Sequence, residues 1–181
     1  GITAALVGLQ WSGADEQSVS IPWTRLTEPA ELRRLAARVA AMPRAHAGGN
    51  TAVGAAITAA AALFDSVPDC RRRVIDVSGD GDENEDFTIG RARRAAWIQG
   101  ITLNGLAIEG AATGQSITNF YRRHVVTPGG FVITARQHLD FARAMREKLL
   151  RELIAPLALA PGVNPPPPAP VLAGFLQVHI P

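Results

Sequence analysis

Two short stretches of this sequence bring oxygen-bearing side chains together with the glycines that would expose them. In Val74-Ile75-Asp76-Val77-Ser78-Gly79-Asp80-Gly81 an apolar run closes on Asp80. Glycines on either side let the backbone turn sharply and hold that carboxylate toward solvent. In Gly48-Gly49-Asn50-Thr51 a flexible loop feeds a helical pattern. The Thr51 hydroxyl then falls at a helix N-terminus, where it caps the helix or reaches a ligand. A hard divalent cation such as Mg²⁺ takes oxygen ligands, few of them charged, and leaves positions for water or a partner. Thr51 and Asp80 are therefore candidate metal ligands. Read singly, one is an N-cap and the other a turn residue.

Other chemistries fit less well. Asp80 to Asp86 places acids at alternate positions, but an EF-hand needs Gly sixth and Glu twelfth, where this chain has Glu85 and Arg91. The acids of this loop are expected to serve the start of the following helix, which its dipole favours. Ser78 has Asp76 and Asp80 where a nucleophile elbow needs glycines. His46, His124, His138 and His179 show no metal or triad spacing, and His124 is read as packing. The Gly110 to Gly114 loop lacks the lysine of a phosphate loop. The single cysteine, Cys70, excludes an internal disulfide and a multi-cysteine zinc site, and is read as an incidental loop thiol. Trp11, Trp23 and Trp97 are assigned to the core and sheet rims.

These candidates must be positioned by one domain. The chain has 181 residues, 47% of them hydrophobic and 19% charged, with a formal net charge of +2. That is the composition of an ordinary globular domain. Its arginines come in short groups such as Arg71-Arg72-Arg73, read as helix solvation, and no block resembles a nucleic-acid-binding arm. No apolar run reaches the roughly 18 residues that span a bilayer. The chain starts at Gly1 and enters an apolar stretch directly, which is read as a fragment.

Along the chain, Ile2 to Trp11 and Val19 to Trp23 read as a hairpin. Pro29 to Met42 reads as a helix with Leu32, Leu35, Ala36 and Val39 inward. A second helix buries Val53, Ala56, Ile57, Ala60, Phe64 and Val67. Val74 to Val77 is a strand, and a helix then runs to Gly100. Ile101 to Ile108 is a strand, Ser116 to His124 a helix, and Phe131 to Thr134 the last strand. The closing helix spans Gln137 to Ile154, with Leu139, Ala142, Met145, Leu149 and Leu153 inward. Alternating strands and helices imply a three-layer, doubly wound and mostly parallel sheet. In such a sheet, ligands bind at the carboxyl ends of the strands. Residues 156–181 stand apart. Asn164 to Pro170 is a polyproline-type spacer, and Val171 to Pro181 an apolar end with no partner, so this tail is expected to be poorly ordered.

The Gly48 to Ile57 and Val74 to Gly81 segments resemble the second and third metal-site loops of von Willebrand factor A domains. More closely, residues 1–155 resemble the bacterial family called domain of unknown function 1194. The matching segments are Gln10-Trp11-Ser12-Gly13, Val19 to Trp23, Ile75 to Gly81, Gly100 to Ile108 and Phe141 to Glu152. The resemblance implies a protein-binding module, not an enzyme, in which a partner's carboxylate completes the shell of a divalent cation held by Thr51 and Asp80. It also implies an exported, periplasmic or secreted setting.

The first motif of A domains, Asp-x-Ser-x-Ser, is nowhere in this chain. The first central strand is thus expected to be missing, metal binding weak or absent, and two buried strand edges unpaired, at about 1–3 kcal/mol per unsatisfied group. Two rivals remain: a hydrolase using the Ser78/Asp80 loop, and a structural domain with a decayed site.

Overall fold

The computed structural model describes residues 4–110, 116–158 and 172–176. It begins with an antiparallel pair, β1 (Ala4–Trp11) and β2 (Gln17–Leu26). Gly8 permits their closest approach, since a Cβ there would lie 3.0 Å from Ile21 Cβ. β2 is an edge strand, which is where Pro22 is tolerated. Helix α1 (Pro29–Ala40) follows. The Glu31 carboxylate accepts from the backbone N–H groups of Thr27 and Glu28, and these bonds hold it below the usual carboxylate range. Then come α2 (Val53–Leu63), β3 (Arg73–Gly79), α3 (Ile89–Ile98) and β4 (Ile101–Ile108). The short α4 (Ile117–Phe120) runs into a π-helical turn, Tyr121–Val125. β5 (Val132–Ala135) and the long α5 (Phe141–Ala158) precede the last strand, β6 (Leu172–Leu176).

The six-stranded sheet has the order β2-β1-β6-β3-β4-β5. All neighbours except β2 and β1 pair in parallel. β3 and β4 are in register from Arg73–Ile101 to Gly79–Ala107. Helices cover the sheet, so the chain is a mixed α/β domain of Rossmann-like construction. β3 and β4 are buried along nearly their whole length on both faces, with Asp76, Ser78 and Asn104 as the polar residues among their apolar ones.

β6 corrects the expectation for the tail. Leu172 to Leu176 do not form an end without a partner. They lie inside the sheet, paired with β1 from Ala4–Leu172 to Gly8–Leu176 and with β3 at Arg73–Ala173. The two edges expected to stand unpaired are therefore joined by a strand from the far end of the chain. The position expected to be vacant for want of a first central strand is filled. The remaining tail, with its proline spacer, lies outside the described residues.

The two faces of the sheet are packed differently. On one, Leu9, Trp11, Ile75, Val77 and Leu103 meet α2, α3 and the π-turn through Ala56, Ile57, Ala60, Ala96 and Tyr121. Every residue expected to be inward on α2 and the turn after it is buried. On the other face, Leu106, Ile108, Ile133 and Ala135 meet Ala144 of α5. Here the expected inward stripe of α5 is met only in part. Met145 packs against this cluster, but Leu139 is 92% exposed, and the fully buried positions among the described residues are Ala144, Lys148 and Glu152, the Leu153 side chain lying outside them. α1 likewise buries only Leu35 and leaves Leu32 exposed.

The α5 face is wired by charge. Lys148 Nζ lies 2.5 Å from Asp76 Oδ1 and 3.0 Å from Glu152 Oε1, and Asn104 donates to that same oxygen at 2.8 Å. Burial, and then the Asp76 carboxylate beside it, push Glu152 up to about 8. At neutral pH Glu152 therefore keeps its proton beside the Lys148–Asp76 pair. α5 also continues through Pro156 to Ala158, past the expected end at Ile154. A proline has no N–H for the carbonyl four residues earlier, here that of Glu152. Arg72 Nη1 donates to that carbonyl at 2.9 Å and replaces the missing bond.

Candidate functional site

The parallel strands all end at one rim, and the loops gathered there include β1 to β2, the segment before α2, and β3 to α3. Backbone bonds lock them together. Ala52 N–H donates to Ser12 O at 2.9 Å, and Ser12 Oγ donates to Asn50 O at 3.0 Å. Thr51 N–H donates to Asn84 Oδ1 at 2.7 Å, while Asn84 N–H donates back to Thr51 O at 3.0 Å. A Cβ built on Gly81 would sit 3.2 Å from Thr51 Oγ1. The Thr51 hydroxyl thus lies against the Asp80-Gly81 turn, and the two candidate residues share one rim. Both are half-buried.

The acids around them serve mainly as backbone acceptors. Glu83 accepts from Gly54 N–H at 2.8 Å and from Ile89 N–H at 3.2 Å, so one carboxylate caps the starts of both α2 and α3. Glu85 accepts from Ala14 N–H at 3.0 Å. Glu16 accepts from Gly13 N–H at 3.0 Å, the main reason its carboxyl lies below the usual range. Further along the rim, burial alone would raise Glu109, but hydrogen bonds from Thr118, Ser116 and Ile117 outweigh it and hold the carboxyl low. Within the acidic loop, Glu83 thus serves the helix starts and Glu85 ties the loop to the β1–β2 turn.

The placement of three side chains at or near the rim does not follow from the sequence alone. His138 Nε2, on the turn after β5, lies 3.6 Å from Asp80 Oδ2. The rule that placed Asp80 at a strand end could have found it, because His138 follows the next strand but one. Tyr121 is fully buried and its hydroxyl has no hydrogen-bond partner among the described residues. Burial first, and the Asp80 charge second, push the phenol above its usual range. Its ring fits only because β3 and β4 carry glycines there. A Cβ at Gly79 would come within 2.6 Å of the hydroxyl, and one at Gly105 within 2.7 Å of the ring. Ser78 is 1% exposed and, by strand alternation, shares the α5 face with Asp76.

Other expectations resolve as follows. Cys70 lies in the loop before β3, as read, but it is buried, and burial pushes its thiol up. His124 is exposed, its ring 5.3 Å from that of Phe120, instead of packing in the core. Of the three tryptophans assigned to the core and sheet rims, Trp97 is 55% exposed and is not a core residue. Most of the Gly110 to Gly114 loop and His179 lie outside the described residues.

A hydroxyl and a carboxylate on one rim match the donor chemistry of a hard cation such as Mg²⁺, which keeps several waters and uses one or two carboxylates. Among the described residues there is no group of three or more His, Cys, Asp or Glu that could hold a metal. Thr51 and Asp80 would hold such an ion, and the ion would offer positive charge to an incoming oxygen ligand.

The fold and rim define a class: an α/β domain with loops braced at the carboxyl ends of its parallel strands. A family model described as protein of unknown function, domain of unknown function 1194, matches residues 2–157. The chain belongs to that family. No curated protein and no solved structure matches it. Among the described residues no helix is long and apolar enough to cross a membrane.

Proposed function

We propose that this chain is a protein-binding module of the von Willebrand factor A type, and not an enzyme. It engages a partner's carboxylate through a divalent cation held by Thr51 and Asp80. The observation that carries this reading is the Thr51 hydroxyl lying against the Asp80-Gly81 turn at the ligand-binding rim of a parallel sheet. With no Asp-x-Ser-x-Ser motif, the chain supplies two ligands, so binding of the ion alone is weak and a partner's oxygen strengthens it. The hydrolase alternative is disfavoured by the burial of Ser78, whose hydroxyl a substrate does not reach. An exported setting follows from the same resemblance.

Isothermal titration with Mg²⁺ or Mn²⁺ tests this reading. Saturable heat that disappears in Asp80→Ala and diminishes in Thr51→Ala is expected. Equal heat from the wild type and Asp80→Ala, or no heat from either, would overturn it.

A further inference from the structure

The layer that covers the apolar face of the sheet has a charge imbalance away from the rim. Residues 89–108 and 116–130 carry Arg91, Arg93, Arg94, Arg122 and Arg123, with His124 and not one Asp or Glu. The ion pairs found among the described residues belong to Arg25, His138, Arg143 and Lys148, so none of these five arginines is neutralised that way. α3 and the π-turn pack against each other, which brings the arginines onto one layer.

Within that layer lies a groove of about 360 Å³, lined by Gly90, Arg93, Arg94, Trp97, Thr127 and Pro128. Arg93 donates its Nε–H to Val126 O at 2.6 Å, which fixes the guanidinium at the groove and leaves its terminal fork as donor. Trp97 is 55% exposed and its neighbour Ile98 is 71% exposed, although both are large apolar side chains on a regular helix. Exposed tryptophan beside arginine is the composition of a binding surface's energetic centre, and arginine forks match carboxylates two oxygens at a time.

We propose that this groove is a docking site for an extended acidic segment of a partner protein, its carboxylates on Arg93 and Arg94 and an apolar side chain against Trp97. Charge complementarity selects the acidic partner. Concavity argues against a bilayer, whose flat surface would meet Ile98 and not enter the groove. A single tryptophan offers no run of stacking platforms for a nucleic acid strand. The site stands apart from Thr51 and Asp80, so it holds or fails independently of the metal reading.

The probe is a short fluorescein-labelled peptide of alternating glutamate and leucine, followed by anisotropy with the full chain. Saturable binding that weakens with added salt is expected. Arg94→Glu and Trp97→Ala should each weaken it by at least about tenfold, as loss of a central contact does. Arg94→Lys should give a smaller loss, and Asp80→Ala none. These side chains are solvent-accessible, and unchanged circular dichroism confirms that the variants fold. No saturable binding, equal affinity for wild type and Arg94→Glu, or tighter binding to anionic phosphatidylserine vesicles or a single-stranded oligonucleotide would overturn the proposal.

Discussion

The two halves of the sheet are held by different means. From β3 to β5 the strands follow chain order, each separated by its own helical crossover, and α5 is fastened beneath them by Lys148, Asp76, Glu152 and Asn104. From β1 to β3 the continuity rests on β6, a short strand from the end of the chain, joined to β1 over its whole length and in register with β3 at Arg73–Ala173. The first half is specified locally and cross-braced by side chains. The second depends on a distant segment finding a slot, with greater loop-closure entropy to overcome.

Removing that segment is the most damaging way to break the comparison. Truncation after Ala158 exposes the inner edges of β1 and β3, at about 1–3 kcal/mol for each unsatisfied backbone group, against a total stability of about 5–15 kcal/mol. Urea unfolding should lose its single steep transition. An unchanged midpoint would mean that β6 contributes nothing to the sheet.

The cross-braced half has its own weak point. Lys148→Met leaves Asp76 buried without its cation and should cost about 3–5 kcal/mol. Adding Asp76→Leu should recover most of that loss, because an apolar pair replaces an apolar-lined charge. Urea midpoints of the single and double variants measure both effects. Equal destabilisation in both would locate the cost in packing.

A smaller effect, counted per pH unit, follows from titration. The folded-state value of Glu152, about 8, is above its ordinary 4.5. Below pH 4.5 both folded and unfolded chains hold this proton, and the stability it confers is fully present. Between 4.5 and 8 the unfolded chain releases the proton while the folded one keeps it. Stability should therefore fall as pH rises through that window, by at most about 1.4 kcal/mol per unit. Glu152→Gln should remove this component of the pH dependence of the urea midpoint. An unaltered slope in Glu152→Gln would show that Glu152 ionises normally in the fold.

The sequence was most legible where one rule acted alone. Ile101 to Ile108, bounded by Gly100 and a loop, forms β4 at those residues. α2 buries the positions its spacing indicated, because its alanines and isoleucine face an apolar surface all along. α5 was misphased because its inward face carries Lys148 and Glu152, and hydrophobic spacing has no means of recognising a charge that is buried by pairing. β6 was missed because strand pairing at long range leaves no local mark. At the rim, Thr51 and Asp80 were found from turn chemistry and from resemblance. His138 and Tyr121 reach Asp80 only through the fold.

The proposal that Thr51 and Asp80 hold a cation is tested most directly by Mn²⁺ titration followed through backbone amide NMR. Paramagnetic broadening is expected to begin at Asn50, Thr51, Asp80 and Gly81 and to be lost in Asp80→Ala. Broadening centred instead on Glu83 to Asp86, or spread evenly over the acidic surface, would contradict it.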